Sequence, residues 1–253
     1  MSDANLSYAT PTEAIRVFCG FPKRQFTEAQ FFTQLGQTFM PGTPYMLQPL
    51  GLAAYLPGVL ANPAPGLPHE FALICYPSQA NWNQGMNGTL RGRVYNQTHG
   101  GVYATPPSGA VFPVFVDNLP PLAADPFFLF QTAIDWQTGV THVVVAAKRD
   151  AAQSGADFRL ALRAALAAER QALLEAGIDQ VVVTAPDAFS VIWMHGVARD
   201  FAVPLAFLSR VLAAPTVLRN ERVICVEEPP TLSIAASSAF NFIFLREAKY
   251  FLS

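Results

Sequence analysis

Charge is scarce in this sequence. Asp, Glu, Lys and Arg together make up 13% of it, about half the roughly 25% of an average globular domain. So little charge cannot solvate a large surface, which points to compact burial and to a homo-oligomer in which a subunit contact covers part of the surface. With 51% hydrophobic residues the composition is the opposite of a disordered chain. Basic clusters are also missing. The net charge is −2 and the nearest thing to a run is Arg91-Gly92-Arg93. That reads as a solvated helix face, and no nucleic-acid partner is expected.

Cysteine is sparse. Cys19, Cys75 and Cys225 lie far apart in the apolar runs RVFCGF, ALICYP and VICVEE. Without a CxxC pair they read as buried free thiols rather than a disulfide framework or a zinc site. The four histidines, at 69, 99, 142 and 195, show no HxH or HExxH spacing, so no metal is expected. There is no GxSxG, no phosphate loop, no dinucleotide fingerprint and no cysteine in a basic setting. No apolar stretch approaches the roughly 18 residues of a membrane helix. The opening MSDANLSYATPTEA lacks a basic start followed by an apolar core, so no signal peptide is expected and the expected location is cytoplasmic.

What is present is a succession of periods. Residues 14–21 (AIRVFCGF) read as a strand closed by Pro22. Thr27 and Gln30 form a capping box before Phe31, Leu35 and Phe39, a helical stripe that Pro41-Gly42 should stop. A strand and turn follow over 51–60, a proline-rich loop over 62–68, and a buried strand over Glu70–Tyr76. Ser78 caps a helix carrying Trp82 and Met86, expected to be short or irregular because Asn, Gln and Gly crowd 79–101. Val111–Val116 closes the first half. The second half repeats the order: a strand over 141–147, a helix starting near Ser154 and ending at Gly177, a hairpin of 180–184 with 189–194, a helix over 201–212 after Asp200, and a strand over 221–226. His142, at the opening of the first of these strands, is expected to face solvent. The expected organisation is two α+β units, 14–118 and 139–247, each β-α-β-β-α-β. A Pro- and Phe-rich linker over 119–138 joins them, with Phe127, Phe128 and Phe130 packing between the halves or on a partner.

Two such units in one chain, with CYPSQANW in the place of a third strand and second helix, resemble the tandem ferredoxin-like superfamily, in which two sheets face each other as a pseudo-dimeric α/β barrel. The resemblance implies a range of functions. These are cofactor-independent monooxygenases, isomerases and cyclases acting on aromatic or polyketide substrates, haem enzymes, and non-catalytic binding or assembly proteins. Fold does not choose between them.

His195, at the end of the strand VIWMHG, is the first choice for a base, expected at a cavity mouth with Trp193 and Arg199 as substrate-binding neighbours. The plainer alternative is a core histidine bonded to a carbonyl. In the haem alternative His195 is the axial ligand. Tyr76 and Trp82 bracket the matching place in the first half, where a phenol could donate to an oxyanion and an indole could stack on an aromatic ring. His99, beside Gly100-Gly101, is a further binding candidate or simply part of a turn. The expected function is acid–base chemistry, without a cofactor, on a small, flat, largely apolar molecule held between sheet and helices.

Overall fold

The computed structural model describes residues 14–52, 54–104, 127–130, 139–198, 201–220 and 250–251. Period-two alternation makes two antiparallel sheets. In the first, β1 (Ala14–Gly20), β2 (Ala54–Val59), β3 (Glu70–Tyr76) and β9 (Tyr250–Phe251) lie in the order β1-β3-β2-β9. In the second, β4 (Phe127–Phe130), β5 (Val140–Ala147), β6 (Gln180–Thr184), β7 (Phe189–Gly196) and β8 (Thr216–Asn220) lie in the order β4-β6-β7-β5-β8. Mixed helices and antiparallel sheets make this an α+β fold, as the sequence predicts.

Alternation sends successive side chains to opposite faces. Ile15, Val17 and Cys19 of β1 and Phe71, Leu73 and Cys75 of β3 share one core with Val143, Val145, Val182, Val191 and Trp193 of the second sheet. The sheets therefore pack face to face, with the Phe71 and Trp193 rings 6.2 Å apart and Phe21 and Phe189 6.4 Å apart. Phe18, Ala72, Ile74 and Tyr76 point the other way, into a core made with the helices of residues 28–102. Val144, Val181, Val183, Ile192 and Met194 do the same beneath the helices of the second sheet.

The helices depart from expectation in instructive places. Thr27 caps α1 (Glu28–Gln34) with the predicted box, its side chain accepting from the Gln30 backbone N–H. Pro41-Gly42 does not stop the chain. A π-helical turn over Leu35–Phe39 runs into α2 (Met40–Leu47), and Pro41 follows directly on that turn, where the hydrogen-bond ladder has already shifted, the Met40 N–H bonding the Leu35 carbonyl. The glycine-rich stretch is not irregular either: α3 (Gln79–Gly88), capped by Ser78, and α4 (Leu90–Val102), capped by Thr89, are regular. Glycine is required where they meet, because a Cβ on Gly92 would stand 2.2 Å from the Gly85 carbonyl oxygen. His99 consequently sits on a helix rather than in a turn.

In the second part, Ser154 caps α5 (Gly155–Ala168), followed by α6 (Arg170–Glu175), and the hairpin of β6 and β7 forms as predicted. The expected helix over 201–212 is reduced to a 3-10 turn, Ala206–Arg210, since Pro204 biases the residue before it to extended backbone. The strand beside β5 is Thr216–Asn220, earlier than expected; Glu221–Val226 lies outside the described residues, as does Val111–Val116. Part of the expected linker is strand β4, paired with β6. His142 does not face solvent freely: its ring meets that of Phe201 at 4.6 Å. Cys19 and Cys75 are buried, as expected, and Cys225 is outside the described residues. Among the described residues no helix is long and apolar enough to cross a membrane.

Candidate active site

Between the first sheet and its helices lies a cavity of about 190 Å³. Its floor is Arg16 and Phe18 of β1 and Ile74 of β3, all on the helix-facing side of the sheet. Leu47 of α2 and Trp82 and Met86 of α3 form apolar walls. Tyr95, Asn96 and His99 of α4 complete it. Residues four apart on a helix share a face, which is how Tyr95 and His99 reach the same space.

The Arg16 guanidinium lies over the Trp82 ring, 4.8 Å from its centroid, a cation–π contact. Burial lowers the Arg16 pKa, partly offset by the Tyr95 and Tyr76 phenols. An arginine nonetheless keeps its charge at any physiological pH.

The His99 imidazole is held on several sides. Its Nδ1 is 3.1 Å from the Tyr95 carbonyl oxygen. A carbonyl only accepts, so Nδ1 carries the proton and Nε2 keeps its lone pair. The rings of Phe18, Phe39 and Tyr95 meet it edge-on, at 5.5, 5.0 and 4.3 Å, and Tyr103 stacks on it at 5.1 Å. Burial pushes its pKa down to about 4, a shift the Tyr95 carbonyl opposes and the Arg16 charge assists. The imidazole is neutral near pH 7.

Behind His99 a second polar group is sealed in. Glu70, on the helix-facing side of β3, is 2% exposed and accepts hydrogen bonds from the Tyr103 and Tyr55 hydroxyls. Burial pushes its carboxyl up to about 7 against the pull of those two phenols. Tyr95 is fixed from its far end. The Thr43 hydroxyl donates to the Phe39 carbonyl at 2.6 Å, leaving its oxygen to accept from the Tyr95 hydroxyl at 2.7 Å. Burial raises the Tyr95 and Tyr103 phenols well above their ordinary range, so both stay protonated.

Of the residues singled out in the sequence, Trp82 and His99 come together at this cavity. Tyr76 is fully buried on the same face of β3, near enough to Arg16 for the two to interact electrostatically. His195 and Trp193 belong to the second sheet. Trp193 lies in the core between the sheets, and His195, 2% exposed, has Nδ1 3.0 Å from the Thr141 hydroxyl, its cross-strand partner. Arg199 lies outside the described residues. The sequence reading missed Arg16 and Glu70. The signal was there: a single charge inside an apolar strand (AIRVFCG) and another opening EFALICY, each at a position whose parity matches the helix-facing residues.

No family model matches the sequence, and no curated protein matches it. Solved structures align loosely. A protein provisionally named a monooxygenase from Lactobacillus acidophilus aligns with a TM-score of 0.37 at 8% identity, over 82% of this chain and 92% of the other. A protein with the same provisional name from Fusobacterium nucleatum gives 0.36 at 8%, over 83% and 91%. An anthrone oxidase-like protein gives 0.36 at 11%, over 85% and 92%. Chemistry is therefore read from the cavity and not from these neighbours.

Proposed function

We propose that this protein is an enzyme that performs acid–base chemistry on a small, flat, largely apolar molecule held between the first sheet and its helices. The observation that carries this reading is the meeting of a neutral imidazole and a guanidinium on one apolar cavity. His99 accepts a proton at Nε2, and Arg16 stabilises the negative charge left on the substrate. Trp82 and Phe18 supply aromatic surface for a planar molecule. Such chemistry asks no cofactor of the site.

In this reading catalysis rests on His99, and His195 belongs to the scaffold, because His195 is buried and held by Thr141. The haem alternative does not fit: an axial ligand needs an open face toward the porphyrin, and His195 is 2% exposed at the end of a central strand. The architecture we infer is the tandem one. Units over 14–118 and 139–247 close face to face as a pseudo-dimeric barrel. Supporting it, β4 of the intervening segment borders the second sheet at β6, and β9, near the chain's end, borders the first at β2.

The test is solvent deuterium exchange into a panel of enolisable aryl ketones and phenols, followed by proton NMR. Wild type is expected to accelerate exchange at an acidic C–H of at least one compound, and His99→Gln to slow it about a hundredfold or more. Equal rates in the two proteins contradict the proposal.

A further inference from the structure

Helix α4 brings two side chains with unused hydrogen-bonding capacity to the cavity, Asn96 and His99. Three residues apart, they share a helix face with about 5–6 Å between their Cβ atoms. The His99 Nδ1–H is engaged by the Tyr95 carbonyl, so the ring can meet a ligand only through Nε2, and only as an acceptor. Burial keeps it in that state down to about pH 4. Neither Nε2 nor the Asn96 carboxamide has a hydrogen-bond partner among the described residues. A ligand without a polar hydrogen would cover Nε2, strip it of water and return nothing. A ligand with one would satisfy it. The carboxamide adds N–H donors and a carbonyl acceptor, so a group that both donates and accepts can engage the two residues at once. A hydroxyl is the smallest such group. Around it Phe18, Ile74, Met86 and Trp82 are aromatic or aliphatic, which favours a hydroxyl carried on an aromatic ring. Size limits the number of rings. An apolar cavity of about 150 Å³ holds benzene, so about 190 Å³ has room for one ring and a small substituent, whereas a fused polycycle of the kind the sequence resemblance implies would protrude.

We propose that the cavity recognises a single-ring phenol, whose hydroxyl donates to His99 Nε2 and accepts from the Asn96 amide while its ring lies against Phe18 and Trp82. Asn96 is thereby a specificity residue. This deepens the acid–base reading and rests on the same cavity, but it makes a separate demand: the bound ground state is selected by its hydrogen-bond donor.

Titration calorimetry on the full chain at pH 7 tests it with phenol, toluene, anisole and 2-naphthol. Toluene matches phenol in size and lacks its polar atom; anisole keeps the oxygen and lacks the proton; 2-naphthol carries the hydroxyl on two fused rings. Wild type is expected to bind phenol at least about tenfold more tightly than toluene or anisole, and at least about fivefold more tightly than 2-naphthol. His99→Phe, which keeps a flat ring and removes the acceptor, should erase the preference for phenol over toluene. Asn96 is exposed on its helix, and Asn96→Ala should weaken phenol about fivefold and leave toluene unchanged; thermal melts establish that each variant is folded. Any of the other three probes bound as tightly as phenol, no phenol binding by wild type, a preference that survives in folded His99→Phe, or phenol affinity unchanged in Asn96→Ala would each overturn the proposal. If His99→Phe does not fold, the wild-type comparison and Asn96→Ala decide. The exchange assay on His99→Gln separates the two readings. Phenol selected as above, with proton exchange equal in wild type and His99→Gln, removes the acid–base role and leaves phenol recognition standing. Exchange lost in His99→Gln, with toluene bound by wild type as tightly as phenol, does the reverse.

Discussion

Glu70 and His99 both meet Tyr103, one at its hydroxyl and the other stacked on its ring, and burial moves their pKa values in opposite senses. Glu70 is raised to about 7 from 4.5. Between those values the unfolded chain releases a proton that the folded protein keeps, so this group's contribution to stability is full at low pH and is lost as pH rises through 7. His99 is lowered to about 4 from 6.5. There the unfolded chain binds a proton that the folded protein refuses, so stability is lost as pH falls from 6.5 toward 4. Each effect amounts to about 3 kcal/mol, and they oppose each other wherever the windows overlap. Urea denaturation across pH 4–8 separates them. The stability of Glu70→Gln minus that of wild type should rise by about 3 kcal/mol from pH 4.5 to 7.5. The difference for His99→Gln should fall as pH climbs from 4 to 6.5. A flat difference in either series would mean that the group titrates as it does in the unfolded chain.

Among the elements, the α3–α4 corner makes the sharpest claim. A Cβ on Gly92 would meet the Gly85 carbonyl oxygen at 2.2 Å and the Met86 Cα at 2.5 Å, both backbone atoms that cannot swing aside. Gly92→Ala should therefore cost about 2 kcal/mol or more. Gly100 on the same helix has nothing within 4 Å of such a Cβ, so Gly100→Ala should stabilise by about 0.5–1 kcal/mol. Thermal melts of the two variants should move in opposite directions; shifts of the same sign would place the helix contact wrongly. This corner also shows what sequence can and cannot reveal. Caps at Thr27, Ser78 and Ser154 and the alternation in β1, β3, β5, β6 and β7 are local signals, and they were legible. The π turn before Pro41 and the straight run of α4 through its glycines depend on tertiary contact, which no local propensity encodes. For the site, Trp82 and His99 were recognisable as polar aromatics near element ends. Arg16 was hidden because a single charge in an apolar strand has meaning only once the face it points to is known.

At the scale of the whole molecule, one core joins the two sheets, and Trp193 is its largest fully buried side chain. Its indole nitrogen has no hydrogen-bond partner among the described residues. Trp193→Phe, which keeps a ring and removes that unpaired donor, should cost less than Trp193→Ala, expected at about 3–5 kcal/mol. Because Phe71 of the first sheet packs on Trp193, the loss should be shared. Hydrogen exchange of Trp193→Ala should show β1 and β3 amides losing protection together with those of β5 and β7. Protection kept in the first sheet alone would mean that the sheets are separately stable. The shared core also sets the division of labour between the histidines: His195 lies at the end of this interior, while His99 lies on the outer, helix-covered side, where the cavity is. Nitrogen NMR of ¹⁵N-histidine-labelled protein, with signals assigned by single substitutions, tests that division most directly. At pH 7 the His99 spectrum should be that of a neutral ring protonated at Nδ1. A His99 ring that is charged at pH 7, or that carries its single proton at Nε2, would contradict the account.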